Sequence, residues 1–94
     1  MQQLQVRYVG RVQGVGFRAT VAELARSFAV TGRVCNVDDG SVDLQAEGEA
    51  AELVRFQQAI ATRLGGYIID AHARWSDIDQ PRWSDFGIGV DKRP

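Results

Sequence analysis

Residues 10–19 read GRVQGVGFRA, and their types and spacing could bind an anion. A turn through residues 14–17 can point successive backbone N–H groups into one concavity. A helix that follows such a turn adds its unpaired N-terminal donors and the positive end of its dipole. Arg18, at the expected start of that helix, supplies a permanently charged, forked donor that matches phosphate oxygens. The stretch therefore predicts a local phosphate site.

The same loop permits other interpretations. The glycines could serve only to make a tight turn, with Arg18 in solvent, because a glycine loop is a weak signal. Gly14, Gly16 and Ala19 also fit a dinucleotide fingerprint, but a six-stranded doubly wound domain does not fit in 94 residues. The loop resembles the phosphate cradle of cysteine phosphatases, except that Val12 stands where their nucleophilic cysteine would be. A phosphate could therefore be held here with no nucleophile beneath it.

Hydrophobic periodicity predicts the elements that position this loop. Alternating apolar residues predict strands near residues 4–12, 33–37, 42–46, 67–75 and 86–90, and helical stripes lie at 21–28 and 53–64. Gly32 is a plausible stop for the first helix, and Asp38-Asp39-Gly40 predicts a hairpin turn. The order predicts an α+β, ferredoxin-like βαββαβ sandwich: an antiparallel sheet with two helices on one face, plus a short C-terminal strand.

In that arrangement the first two strands run parallel, with the third strand between them. The carboxyl ends of the first two strands then share one edge of the sheet, which brings Asn36 near the loop of residues 14–18. A two-residue and a three-residue hairpin turn would place Asn36 on opposite faces of the sheet, so the sequence leaves both faces possible.

The totals indicate one small soluble domain over residues 1–94, with 45% apolar and 24% charged residues. No apolar run approaches the roughly 18 residues of a membrane span, and a net charge of −1 gives no long-range attraction to nucleic acid. Cys35 is the only cysteine, so the core is expected to hold without a disulfide. We see no secretory signal and expect a cytoplasmic monomer.

Longer motifs then resemble one family closely. GRVQGVGFR at residues 10–18 and TGRVCNVDDGSV at residues 31–42 look like the two signatures of acylphosphatases, and SDFGI at residues 84–88 also agrees. The resemblance implies hydrolysis of acyl phosphates to a carboxylate and inorganic phosphate, without a cofactor or a metal. It implies that Arg18 is the catalytic phosphate-binding arginine and that Asn36 orients the attacking water. It also implies a phosphate loop formed by Gln13, Gly14, Val15, Gly16, Phe17 and Arg18.

Two positions depart from the family pattern. Family members often have an aromatic residue where Arg33 stands, and usually a threonine where Val37 follows Asn36. The lost hydroxyl removes a possible hydrogen bond beside the water site, which affects the expected rate more than the reaction class.

Two other functions compete with hydrolysis. One is a non-catalytic acyl-phosphate or carbamoyl-phosphate binding domain, similar to those inside larger hydrogenase-maturation proteins. The other is a ferredoxin-like nucleic-acid module, which fits poorly because the third strand, SVDLQAEG, lacks paired aromatic and basic residues.

The remaining chemically capable residues have simpler interpretations. His72 is the single histidine and is expected to be a solvated strand residue beside Asp70 and Arg74. Asp38 and Asp39 suit a hairpin turn better than a magnesium site. Trp75 and Trp83 are expected to cover the core, and Cys35 is expected to be a small core or strand residue.

Overall fold

The computed structural model describes residues 1–94 and contains five strands and two α-helices. The strands are β1 (Gln2–Gly10), β2 (Val30–Asn36), β3 (Val42–Gly48), β4 (Ile68–Asp77) and β5 (Phe86–Ile88). The helices are α1 (Phe17–Ala25) and α2 (Ala50–Leu64), and a short 3-10 helix (Gly65–Tyr67) follows α2 directly. The predicted element order is confirmed.

The strands form one sheet in the order β4-β1-β3-β2-β5. β3 pairs antiparallel with both β1 and β2, so β1 and β2 run parallel with β3 between them, as predicted. β4 pairs antiparallel with β1, whereas β5 pairs parallel with β2. The sheet is therefore mixed, and the antiparallel prediction holds for its first four strands. The chain reverses direction between β4 and β5 while it crosses from one sheet edge to the other.

The β2–β3 hairpin settles the face on which Asn36 lies. Residues 38–40 form its loop, because the Val37 N–H donates to the Ser41 carbonyl at 2.9 Å. Asn36 consequently pairs with Val42, whose side chain is fully buried. Directly opposite residues on neighbouring strands share a face, so Asn36 lies on the helix side of the sheet.

The core lies between the sheet and the two helices. Its buried side chains come from β1, β2, β3 and both helices, among them Leu4, Val6, Phe17, Val21, Val34, Leu44, Leu53, Phe56 and Ile60. Each fully buried large apolar side chain stabilises the fold by about 1.5–3 kcal/mol. Neither helix is long and apolar enough to cross a membrane.

Gly32 does not end the first helix, so that prediction is wrong. α1 ends at Ala25, and Phe28 lies beyond it, with its ring 5.7 Å from that of Phe56. Gly32 lies inside β2 with φ +149°, where an added Cβ would come within 1.9 Å of the Gln45 carbonyl oxygen. Close approach of the neighbouring strand therefore requires glycine here, and a sequence pattern does not distinguish this role from a helix stop.

β4 departs from the burial that its alternating pattern indicates. Ala73 and Trp75 lie opposite Val6 and Leu4, whose side chains are fully buried, yet the whole outer part of β4 is exposed. Trp75 is 39% exposed and Ile69 is 82% exposed, so the prediction that Trp75 covers the core is wrong. The helices pack mainly over β2, β3 and β5 and leave this edge strand uncovered.

Candidate active site

The loop between β1 and α1, residues 11–16, takes its shape from two glycines. Gly14 has φ +77°, and Gly16, the N-cap of α1, has φ +78° and ψ +19°. A Cβ at either position would meet no atom within 4 Å, so the left-handed backbone, and not crowding, favours glycine there. Two left-handed residues in one short loop bend the main chain into a concavity that can collect N–H donors.

The amide N–H groups of residues 13–19 donate to no other protein group. The first helical hydrogen bond of α1 runs from the Thr20 N–H to the Gly16 carbonyl, at 3.0 Å. No acidic side chain lies in the first turn of α1. A run of unpaired donors and the positive end of the helix dipole therefore meet without a protein acceptor, and this arrangement favours an anion.

A cavity of about 150 Å³ opens beside these amides. Its lining comes from the loop, α1, β2 and β5: Val12, Gly14, Gly16, Phe17, Arg18, Ala19, Asn36 and Ile88. Arg18 and Asn36 thus face the same cavity, although they lie on different elements. Gln13 and Val15 of the predicted phosphate loop do not line it. The sequence did not single out Ile88 as a lining residue, although it lies in the SDFGI motif.

The Arg18 guanidinium has one charged neighbour. Its Nη1 lies 3.8 Å from Oδ1 of Asp91, and the side chains of Arg18 and Asp91 are 35% and 68% exposed. A pair this long and this exposed contributes little, about 0–1 kcal/mol. Most of the hydrogen-bonding capacity of Arg18 is therefore available to a ligand. Nothing in the sequence pattern identified Asp91, which lies 73 positions after Arg18 and beyond the last strand.

We expect Asp91→Asn to tighten the binding of inorganic phosphate by about twofold to fivefold. The substitution removes a negative charge that competes with phosphate for the Arg18 guanidinium. Isothermal titration with phosphate, at low and at high salt, measures the effect, which should shrink as salt screens the charges. Weaker phosphate binding in the variant would instead show that Asp91 orients the Arg18 guanidinium for phosphate binding.

Asn36 carries an unpaired polar atom. Its Oδ1 is buried and receives no hydrogen bond from the protein. An unpaired buried carbonyl costs about 1–3 kcal/mol, so the amide gains free energy when it turns about χ2 towards a donor. The cavity that Asn36 shares with Arg18 is where such a donor could lie. A carboxamide can accept from a water molecule and donate to an anion at the same time.

Gln13 joins the loop between β1 and α1 to the β2–β3 hairpin. Its Nε2 donates to the carbonyls of Val37 and Ser41, at 2.8 Å each. Both donors of the amide are thereby used within the protein, and one acceptor, Val37, directly follows Asn36 in sequence. The Gln13 side chain therefore positions the loop against the strand that carries Asn36, and only its backbone N–H remains free for phosphate. The family resemblance implied a binding role and did not indicate this link.

We expect Gln13→Leu to lower kcat by about tenfold, because the spacing between the loop and Asn36 is no longer fixed. Gln5→Leu is the matched control, since the Gln5 side chain donates to the Asp43 carboxylate at 3.0 Å on the other face of the sheet. Both variants lose stability, by about 1–3 kcal/mol each. Steady-state kinetics and thermal unfolding of the two variants separate the effects. Equal kcat values in the two variants would show that the Gln13 side chain does not position the loop for catalysis.

The structure shows what Arg33 and Val37, the two residues that depart from the family pattern, contact. The Arg33 guanidinium pairs with the Asp85 carboxylate at 2.9 Å and lies 5.8 Å from the centre of the Trp83 ring. Arg33 thereby holds the segment that leads into β5 and brings Ile88 to the cavity. The Val37 side chain is buried, and its carbonyl accepts from Gln13. The link between loop and hairpin thus needs no threonine hydroxyl at that position.

A larger cavity, of about 450 Å³, lies on the opposite face of the sheet. Arg7, His72 and Arg74 contribute to it, so it is the rival site for an anion. Arg7 is paired with Asp39 at 3.6 Å, and hydrogen bonds from the Ser41 hydroxyl and N–H hold the pKa of Asp39 below its usual range. This cavity offers no run of unpaired amides, so the loop between β1 and α1 is the stronger candidate site for an anion. As predicted, His72 is exposed, and it lies 3.3 Å from the Asp70 carboxylate.

Known proteins resemble the whole chain. A family model described as acylphosphatase matches residues 4–88. An acylphosphatase of Thermotoga petrophila is 48% identical over 61 residues, which cover 65% of this chain and 68% of that protein. The crystal structure of the Bacillus subtilis acylphosphatase superposes with a TM-score of 0.73 at 30% identity and covers 98% of both chains.

One similar structure is a much larger protein. Full-length HypF, solved in its phosphate- and nucleotide-bound form, matches with a TM-score of 0.82 at 26% identity. The match covers 98% of this chain and 12% of HypF. The family model and the Thermotoga relative agree with the two sequence motifs and with the fold, and the chain belongs to the acylphosphatase family.

Proposed function

We propose that this chain hydrolyses acyl phosphates, with Arg18 and the amides of residues 13–18 binding the phosphoryl group and Asn36 orienting the attacking water. The observation that carries the proposal is the single cavity that Arg18, Asn36 and the glycine loop share. Family membership supports the reaction class. A cytoplasmic location belongs to the proposal as well and is supported by a lone cysteine that cannot form an internal disulfide.

The chemistry suits these few residues. The leaving group of an acyl phosphate is a carboxylate of low pKa, which departs without needing a proton, so no general acid is required. Phosphoryl transfer then depends on positioning and on stabilising the charge that spreads over the equatorial oxygens. Backbone amides and a guanidinium do this directly and need no reorganisation during the reaction. The phosphate loop and Arg18 supply both kinds of donor on one side of the cavity.

Water needs an approach in line with the bond that breaks. Asn36 accepts a hydrogen bond from the water through Oδ1 and donates to a phosphate oxygen through Nδ2. Fixing both partners in one geometry is the source of the rate gain. The proton of the water passes to the phosphate of the substrate. Oδ1 has no competing partner in the protein, which supports this role.

We expect a flat pH–rate profile from weakly acidic to neutral pH, because Arg18 is the only titratable side chain that lines the cavity. Tyr8 packs against Phe17 with ring centres 5.3 Å apart, and burial raises the pKa of its hydroxyl, so Tyr8 stays neutral throughout. Measuring kcat/KM across this range on the wild type and on His72→Ala provides the check. A bell-shaped profile with an inflection near the ordinary histidine pKa of about 6.5 would contradict the mechanism.

Benzoyl phosphate hydrolysis tests the function. The wild type should turn the substrate over steadily, and Arg18→Ala should lose about 10³-fold or more in kcat/KM. Arg63→Ala, an exposed arginine in the last turn of α2, is the control for loss of one positive charge.

The second candidate is a non-catalytic domain that binds acyl or carbamoyl phosphate. The similarity to a small part of HypF favours it. Phosphate binding by the wild type, with benzoyl phosphate decaying only at its spontaneous rate, would support this candidate against the enzyme.

A further inference from the structure

Residues 89–92 follow β5 and run along the end of β2 that carries Asn36, and we call this segment the strap. The Lys92 N–H donates to the Asn36 carbonyl at 2.8 Å, and the Asp38 N–H donates to the Lys92 carbonyl at 2.8 Å. The family model ends at residue 88, so the strap lies outside the matched region. The strap therefore gives Asn36 a backbone partner that lies outside both sequence motifs.

The peptide group between Asn36 and Val37 is held from both sides. Its carbonyl accepts from Lys92 of the strap, and its N–H donates to the Ser41 carbonyl in the β2–β3 hairpin at 2.9 Å. In a strand, the path of the backbone sets the direction of each side chain. The strap therefore contributes to the direction in which the Asn36 carboxamide points.

One side chain anchors the strap. The Nζ of Lys92 lies 2.8 Å from Oδ2 of Asp43, a residue of β3 that is only 4% exposed. Val90 is 86% exposed and the Asp91 side chain is 68% exposed, so neither of them fastens the strap to the sheet. Lys92 thus binds Asn36 through its main chain and Asp43 through its side chain.

The ion pair lies on the face of the sheet away from the candidate site. Asp43 follows Val42, whose partner in β2 is Asn36, and successive residues of a strand point to opposite faces. Neither Lys92 nor Asp43 lines the cavity that contains Arg18. Any effect of the pair on the reaction therefore reaches the site through the strap and β2.

We propose that the Lys92–Asp43 ion pair positions Asn36 for the reaction: the pair holds the strap against β2, and the strap holds the Asn36 backbone. This role depends on the proposed function, in which Asn36 orients the water. Loss of the pair frees the strap, and the hydrogen bond from residue 92 to the Asn36 carbonyl weakens with it. Asp91 belongs to the strap as well, so its contact with Arg18 loosens at the same time. Turnover therefore falls, whereas phosphate binding does not.

Two single variants test the pair in the benzoyl phosphate assay. Lys92→Met keeps the length of the side chain but removes its charge, and it should lower kcat by about fivefold to tenfold. Inorganic phosphate should bind this variant at least as tightly as the wild type, because the loop amides and Arg18 are unchanged. Lys92→Arg can still pair with Asp43, so its kcat should stay within about twofold of the wild type.

The double variant Lys92→Met/Asp43→Asn separates positioning from stability. Lys92→Met alone leaves a buried carboxylate without its cation, which destabilises the fold, whereas replacing both partners removes that charge. Thermal unfolding should therefore show the double variant to be more stable than Lys92→Met, while its kcat stays as low. A kcat that recovers together with the stability would overturn the proposal.

Hydrogen exchange measures the attachment of the strap itself. The amides of residue 92 and Asp38 should exchange at least about tenfold faster in Lys92→Met than in the wild type, because their hydrogen bonds join the strap to β2. The Val37 amide, which donates within the hairpin, is the internal reference. Unchanged exchange of the first two amides would show that the ion pair does not hold the strap, and would overturn the proposal.

A double-mutant cycle with Asn36→Ala tests the route of the effect. In that background Lys92→Met should lower kcat by no more than about twofold, because the pair acts through Asn36. Arg93→Met removes an exposed cation next to Lys92, and Gln5→Leu removes the other side chain that bonds to Asp43. Both controls leave the ion pair in place and should keep the wild-type kcat.

The cycle also distinguishes failure of this inference from failure of the proposed function. A normal kcat in Lys92→Met, together with a loss in Asn36→Ala, would overturn the role of the ion pair alone. So would a full further loss of kcat when Lys92→Met is added to Asn36→Ala. A normal kcat in Asn36→Ala would overturn the proposed role of Asn36, and the role of the ion pair with it.

Discussion

Arg18→Lys is expected to abolish most of the activity, with kcat/KM lower by about 10³-fold and within about tenfold of Arg18→Ala. The lysine variant keeps the positive charge at the start of α1, so a role that needs only charge would survive the change. A guanidinium bridges two phosphate oxygens with a rigid fork, whereas an ammonium is a single point charge on a flexible stem. The weak, exposed contact with Asp91 leaves that fork free to engage the substrate.

The measurement is steady-state hydrolysis of benzoyl phosphate by Arg18→Lys, Arg18→Ala and Arg63→Lys. Arg63 is exposed in the last turn of α2, so its lysine variant controls for the chemical change alone and should behave like the wild type. Near-normal turnover by Arg18→Lys would show that Arg18 acts only through its charge.

Asn36→Ala is expected to lower kcat by about 10²-fold while phosphate binds nearly as tightly as in the wild type. In the proposed mechanism Asn36 acts on the water, which is needed only for the chemical step, whereas the loop amides and Arg18 hold the phosphate. The substitution breaks no hydrogen bond within the protein, because Oδ1 has no protein partner. The stability of the fold should therefore change little, which separates this variant from Gln13→Leu.

Single-turnover kinetics and isothermal titration with phosphate provide the two readouts. Asn36→Asp is a useful companion, because it keeps the shape and an acceptor but places a negative charge beside the phosphoryl group, so it should weaken phosphate binding too. Parallel losses of binding and turnover in Asn36→Ala would make Asn36 a phosphate ligand instead.

Local patterns predicted the site's framework well. The alternation in β1, the Asp38-Asp39-Gly40 turn and the two helical stripes each depend on residues close in sequence. The structure has all of them, except that α1 ends at Ala25, before Phe28 of the first stripe. The parallel arrangement of β1 and β2 follows from the order of the elements, and it correctly predicts that Asn36 lies near the loop. The face of the sheet on which Asn36 lies could not be predicted from the sequence, because one residue more or less in the hairpin turn reverses that face.

Features that depend on the packing of distant segments could not be predicted from the sequence. The Gln13 side chain serves carbonyls on a hairpin 24 and 28 positions away. Asp91 reaches Arg18 only because β5 returns the chain to the β2 edge. The alternating apolar residues of β4 indicated a buried face, but the helices lie over other strands. The sequence of β4 itself cannot indicate where α2 packs.

A titration of the ¹⁵N-labelled protein with inorganic phosphate, followed through its backbone amide resonances, tests the central claim most directly. The amides of residues 13–19 should show the largest shifts and should saturate together, and Arg18→Ala should abolish the effect. Saturable shifts confined to the opposite face, around Arg7, His72 and Arg74, with the loop resonances unmoved, would contradict the account.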